Sequence, residues 1–333
     1  VIWGTIFAQF WADFEEMLDA ATRGYEATIA VGSTLDDRHY SFWHNTATAG
    51  VIGSAAAAAF GFEKTPSQQN IVDAMGLAGS VSGGFWQMRH EDTFTKQWHV
   101  FHAAETGWHA AEASLEGATG PRFILEGPQG LYAATCKNPK PMTYPAQWRI
   151  HEVSFKPWGA CRHAHPAIDA ALELKAKLGH LEGEITVETY ADAITFCDRP
   201  DPQTVIDARF SLQHAVALAA ERGVPQLADF EPDAIAAWAA DRARVRVSED
   251  SDITARYPEH YGARVTCAGE SVELVDTLGD PERPLTKEGV IAKARALIAW
   301  GGLAEKEADR AIELALDGDD VAPILVMIEN WLS

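Results

Sequence analysis

The sequence predicts a mainly α protein interrupted by a mixed α+β segment: a helical domain, first part over residues 1–152, a smaller α+β domain over 153–285, and a helical C-terminal tail over 286–333. Three observations predict it. Apolar residues recur at helical spacing through the first third. The pattern changes after Gly127 toward extended and alternating stretches, and helical periodicity returns after Pro284. At 333 residues the chain also exceeds the size at which a single core usually stops growing, so two structural units are expected.

Taken in order, Ile6, Phe10, Phe14 and Leu18 fall on one face of a first helix, which "GYEATIAVG" carries to Gly32, a good C-terminal stop. "TATAGVIGSAAAAAFGF" is rich in small residues, the composition of a helix that packs closely on its neighbours. "SQQNIVDAMGLAGSVSG" is the next helix, with Ser67 as N-cap and Gly83-Gly84 after its end. "TFTKQWHVFHAAETGWHAAEA" follows, closing near "EGATGP". From Tyr144 to Phe155 the chain is aromatic, Pro-containing and extended. "EGEITVETYADAI" alternates as a strand with Ile185, Val187 and Thr189 on one side, and "RARVRVSED" and "ARVTCAGESVELVDTLG" read as two further strands. "HPAIDAALELKAKLG" and "DARFSLQHAVALAAERG" each read as one amphipathic helix. "TKEGVIAKARALIAWGG", "AEKEADRAIELAL" and "VAPILVMIENWL" close the chain as helices.

Composition narrows the function. A net charge of −21 disfavours nucleic acid and anionic membrane surfaces, and makes any anion site a local basic island. The four cysteines are far apart without a CxxC pair, which disfavours a zinc knuckle, an iron–sulfur cluster or a disulfide framework and fits a reducing compartment. The longest apolar run, Ala47 to Phe62, is too short and too weakly apolar to span a bilayer. A cytoplasmic protein is expected. No P-loop, nucleophile elbow or dinucleotide-binding glycine pattern is present.

Three clusters carry the candidate chemistry. In "RHYSFWHNTATAG", His44 and Thr48 bracket the start of the small-residue helix, where backbone N–H groups favour anions; a capping or core histidine is the plainer alternative. In the helix holding Lys96, a Lys–His pair one turn apart (Lys96 and His99) sits above small residues, with His102 and His109 alongside. That arrangement suits binding a carboxylate and moving a proton, and a solvated polar face is the alternative. Metal ligation by His99 and His102, as in a metal-dependent hydrolase, is disfavoured because no HExxH pattern occurs and Lys96 would repel a cation. In "SFKPWGACRHAHPAIDAALEL", Lys156, Arg162, His163 and His165 crowd a loop ahead of a helix, a basic island suited to gripping a carboxylate or phosphate; a junction loop whose charges meet solvent or the other unit's acidic surface is the alternative. Cys161 in the same loop reads first as an inert thiol.

At these clusters the chain resembles the MmgE/PrpD family, which includes 2-methylcitrate dehydratase, cis-aconitate decarboxylase and iminodisuccinate epimerase. The likeness runs in order through "GYEATIAVG", "HNTATAGVIGSAAAAA", "DAMGLAGS", "TKQWHVFHAAETGWHAA", "TGPRFILEGPQGLYA", "FKPWGACRHAHPAIDAALEL", "DARFSLQHAVALAAERG" and "PLTKEGV". The resemblance implies a large helical domain with an inserted α+β lid, a homodimer, no metal or organic cofactor, and proton movement next to a carboxylate of a small di- or tricarboxylate. It makes His44, Lys96 and Lys156 the expected catalytic groups, and His99, Arg162, His163, His165, Thr48, Cys161 and His214 the expected substrate contacts. Cys161 and His214 depart from the decarboxylase pattern, so dehydration of the 2-methylcitrate type is the favoured reaction. Family members carry a further N-terminal segment with an Asp-Asp-x-His stretch that supplies an acidic group to the site. The expectation is therefore either that a second chain supplies those helices, or that the sequence is a fragment of a longer protein, or that the chain is a non-catalytic subunit.

Overall fold

The computed structural model describes residues 13–63, 65–91 and 93–332, and these divide into two units. One holds the residues up to His151 together with those from Lys306 onward, and the other is Glu152–Glu305. The start of the expected first helix, with Ile6 and Phe10, lies outside the described residues.

In the first unit, α1 (Phe14–Gly32) begins where the Asp13 carboxylate accepts the Glu16 amide at 2.8 Å. A short helix, α2 (Asp37–Phe42), is capped by Asp36, whose second oxygen also accepts the Lys137 and Asn138 amides at 2.7 and 2.6 Å. One turn, α3 (Asn45–Thr48), leads through Ala49 into α4 (Gly50–Phe62). Every residue of α4 from Gly50 to Ala59 is buried, so this is the central helix. Its small residues are what allow that. A Cβ on Gly53 would collide with the Thr28 hydroxyl of α1, and one on Gly107 would stand 2.5 Å from the Ala55 backbone nitrogen. Ser67 caps α5 (Gln68–Ser80), as its sequence suggests, accepting the Asn70 amide at 3.1 Å. α6 (Thr95–Leu115) packs Ala103, Ala104, Gly107, Ala110 and Ala111 inward. Val31, Leu35, Ile52 and Leu131 fill the core between these helices.

The second unit is built on α7 (His165–Leu178) laid against a four-stranded mixed sheet in the order β2-β1-β3-β4. β1 (Ile185–Thr189) runs parallel to β2 (Val245–Glu249) with Val187 opposite Val247, and antiparallel to β3 (Ala263–Cys267) with Val187 opposite Val265. β3 continues into β4 (Glu270–Leu274), so the single strand expected across 263–279 is a hairpin. Its two-residue loop, Ala268-Gly269, has positive φ at both positions (51° and 80°), the primed turn that matches strand twist. Alanine in the first place hid the signal. The expected single helix over 207–223 also divides, into Val205–Arg209 and Leu212–Glu221, because Ser211 caps the second piece through the His214 amide at 3.0 Å. Lys287–Trp300 falls in the second unit, where the Lys293 ammonium donates to the Lys156 carbonyl. Among the described residues no helix is long and apolar enough to cross a membrane.

Candidate active site

In the first unit the chain brings together the N-terminal end of α3, the segment after α5 and the first turns of α6. His44 occupies the N-cap position of α3, and its amide donates to the Gly84 carbonyl at 2.9 Å. Next to that bond, Trp43 and Phe85 form an isolated antiparallel bridge with ring centroids 4.5 Å apart. Gly84 itself needs to be glycine: its φ is +122°, and a Cβ there would lie 2.7 Å from Ala47 Cβ and 3.3 Å from the His99 ring.

This arrangement sets two imidazoles against each other. His44 Nδ1 lies 3.2 Å from His99 Nδ1, with ring centroids 5.4 Å apart, and the Trp86 ring lies 4.6 Å from His44 on a 3₁₀ turn. Only 5% of His44 is exposed, while His99 is half-buried. Burial, then the Lys96 ammonium, then His99 pushes the His44 imidazole down to about 4. Burial, with His102 adding repulsion, also lowers His99. Both rings are therefore neutral near pH 7, and Lys96 is close enough to act on one of them. His102 and His109 face solvent, the latter 3.5 Å from Glu112.

Thr48 serves a different purpose. Its hydroxyl bonds His39 Nε2 at 2.9 Å, and His39 Nδ1 reaches the Thr135 hydroxyl at 2.8 Å, all three residues being buried. That chain ties α2 and α3 to the short helix Leu131–Thr135 and fixes the backbone that carries His44.

The remaining expected residues belong to the second unit. Arg162 pairs with Asp280 and stacks over the Tyr261 ring at 4.1 Å, while its Nη1 is buried with no partner among the described residues. His163 Nδ1 meets the Tyr190 hydroxyl at 2.8 Å and stacks on Phe196. His165 is fully buried, with Nε2 donating to the Ala160 carbonyl at 3.3 Å. Burial, then Lys156 and Arg162, drives it down to about 3, with Lys293 a smaller contribution. Lys156 is exposed and Cys161 is half-buried, its amide donating to the Arg209 carbonyl at 2.7 Å. His214 is inside the core: Nε2 donates to the Asp229 carbonyl at 2.7 Å, and Nδ1 faces the Arg242 guanidinium at 3.4 Å. Both of its ring nitrogens are engaged within the fold.

Sequence reasoning did not single out Trp86, Gly84 or Lys293. Gly84 had a signal, the Gly-Gly pair after α5, which served only as a helix stop. Trp86 and Lys293 had none, because neither periodicity nor motif distinguishes them from ordinary core and surface positions. Among the described residues no group of three or more His, Cys, Asp or Glu is placed to hold a metal ion.

No curated protein matches the chain. The family model of the MmgE/PrpD N-terminal domain matches residues 7–143, which carry the His44–His99 pair, and that of the MmgE/PrpD C-terminal domain matches residues 158–318. The two models follow each other in order over most of the sequence, and the chain belongs to the MmgE/PrpD family.

Proposed function

We propose that the protein is a cofactor-independent lyase that removes a proton next to a carboxylate of a small di- or tricarboxylate, with dehydration of the 2-methylcitrate type as the favoured reaction. The family includes dehydratases and related lyases. The observation that carries the finer reading is the buried His44 ring, held neutral against His99 and beside Lys96.

A proton beside a carboxylate is weakly acidic, and its removal leaves an enediolate-like charge. Lysine near that charge stabilises the transition state more than the ground state. Burial, then the Lys96 charge, makes His44 a weak base. A bound carboxylate offsets the Lys96 charge and raises the basicity of His44 when substrate is present. Lys156 and Arg162, cations of the second unit, are proposed as carboxylate ligands in their own right, and His99 as the neighbour that holds the Nδ1 side of the His44 ring. On this reading the protein acts as a homodimer without metal or organic cofactor.

The test is turnover of a panel of hydroxylated and unsaturated polycarboxylates by the wild-type protein and by His44→Ala. Wild type is expected to convert at least one. The variant should lose about 100-fold or more in rate while keeping a cooperative unfolding transition. Equal rates would remove His44 from the mechanism.

A further inference from the structure

We infer that His44 and His99 act as one proton-holding pair, in which His44 meets the substrate through Nε2 and passes its own Nδ1 proton to Nδ1 of His99. The inference rests on the lyase reading above. Its geometric basis is the Nδ1–Nδ1 separation of 3.2 Å. Two bare nitrogens or two protonated ones would repel at that distance, so a single proton lies between the rings. Among the described residues Nε2 of His44 has no hydrogen-bond partner, which leaves it for a ligand.

The step balances without any outside reagent. Nε2 of His44 takes the proton from the carbon beside the carboxylate, and the electron pair of the C–H bond stays on the substrate as the enediolate. The Nδ1 proton of His44 then moves to His99. His44 is left neutral with a proton on Nε2, and His99 carries the positive charge. When the enediolate expels its hydroxyl group, that Nε2 proton leaves with it as water. The proton on His99 returns to His44 Nδ1, restoring the starting state. The same ring serves as base and then as acid, and His99 holds the charge in between.

The surroundings favour that direction. His44 is almost wholly buried and faces Lys96, both of which oppose a charge on it. His99 is half-buried, and the charged or titratable group that bears on it is the solvent-facing His102. Water reaches His99 more easily, so the charge costs less there. Gly84 permits the arrangement, since a Cβ at that position would press on His99 at 3.3 Å. His99 is thus a positioning and proton-holding residue for His44.

The direct experiment is an acid titration of the whole protein labelled with nitrogen-15 in its histidines, followed by NMR of the ring nitrogens. The two rings are expected to titrate as a coupled pair, with the first proton appearing on His99. Independent titration, or a first proton on His44, overturns the inference. The second experiment is His99→Asn, which keeps a hydrogen-bonding side chain near Nδ1 but cannot accept a proton. Its kcat should fall about 100-fold with KM within about twofold of wild type; a wild-type kcat overturns the inference. If the rings titrate together but no carboxylate is converted by wild type, the lyase reading falls while the shared proton stands.

Discussion

Single side chains in the first unit show how burial sets protonation. His39 and His44 are both inside, and burial pushes each down to about 4, in His39 against the opposing pull of Asp36. Their folded values lie below the ordinary value of 6.5, so the unfolded chain takes up protons first as pH falls. The stability they contribute is complete above about 6.5 and is lost as pH drops toward about 4. Urea unfolding at a series of pH values should therefore show a midpoint that declines across that window. In a His39→Gln variant, which keeps hydrogen bonding to Thr48 and Thr135 without a titrating ring, the decline should be shallower. An unchanged slope would contradict the assignment. At this scale the sequence was legible where spacing carries chemistry: Lys96 and His99 one turn apart, and His44 ahead of a small-residue helix. It was not legible where contact depends on chain segments far apart. Nothing in "WHNTATAG" announces that Gly84 and His99 close over His44, because those contacts span 40 and 55 residues.

At the scale of elements, the helices were readable because their caps and small-residue faces are local. Ser67, Gly32 and the run from Gly50 to Ala59 act within a turn or two of where they occur. The errors came where one residue overrides a periodic pattern. Ser211 ends one helix and starts another, and Ala268-Gly269 folds an expected strand into β3 and β4. Ala268 has φ 51°, a conformation in which a β-carbon crowds the following carbonyl at a cost of about 1–2 kcal/mol. Ala268→Asn, which suits the first position of this turn, should raise stability by about 0.5–1 kcal/mol, read from the urea midpoint at unchanged slope. A loss of stability would show that the turn is not of the primed type.

At the scale of the whole molecule, two chemical environments share one strongly acidic chain. The first unit supplies a pair of neutral imidazoles beside Lys96, and the second unit supplies Lys156, Arg162 and Lys293 around the buried His165. Against a net charge of −21, each of these local groups of cations is proposed as a place where a small polyanion gains more from local attraction than it loses to long-range repulsion. Helix-rich architecture with a small mixed sheet was visible from periodicity, and the residue types that could carry chemistry were visible one by one. Which imidazole would face which was not, because it depends on how α3, α6 and the segment after α5 pack. The most direct measurement of the central claim is hydrogen–deuterium exchange on substrate carbon. Candidate polycarboxylates are incubated with the protein in heavy water and followed by proton NMR. The account predicts deuterium incorporation, or conversion, at a carbon next to a carboxylate with wild type and its loss in His44→Ala. Exchange that persists undiminished in the variant, or none with any polycarboxylate in wild type, would contradict it.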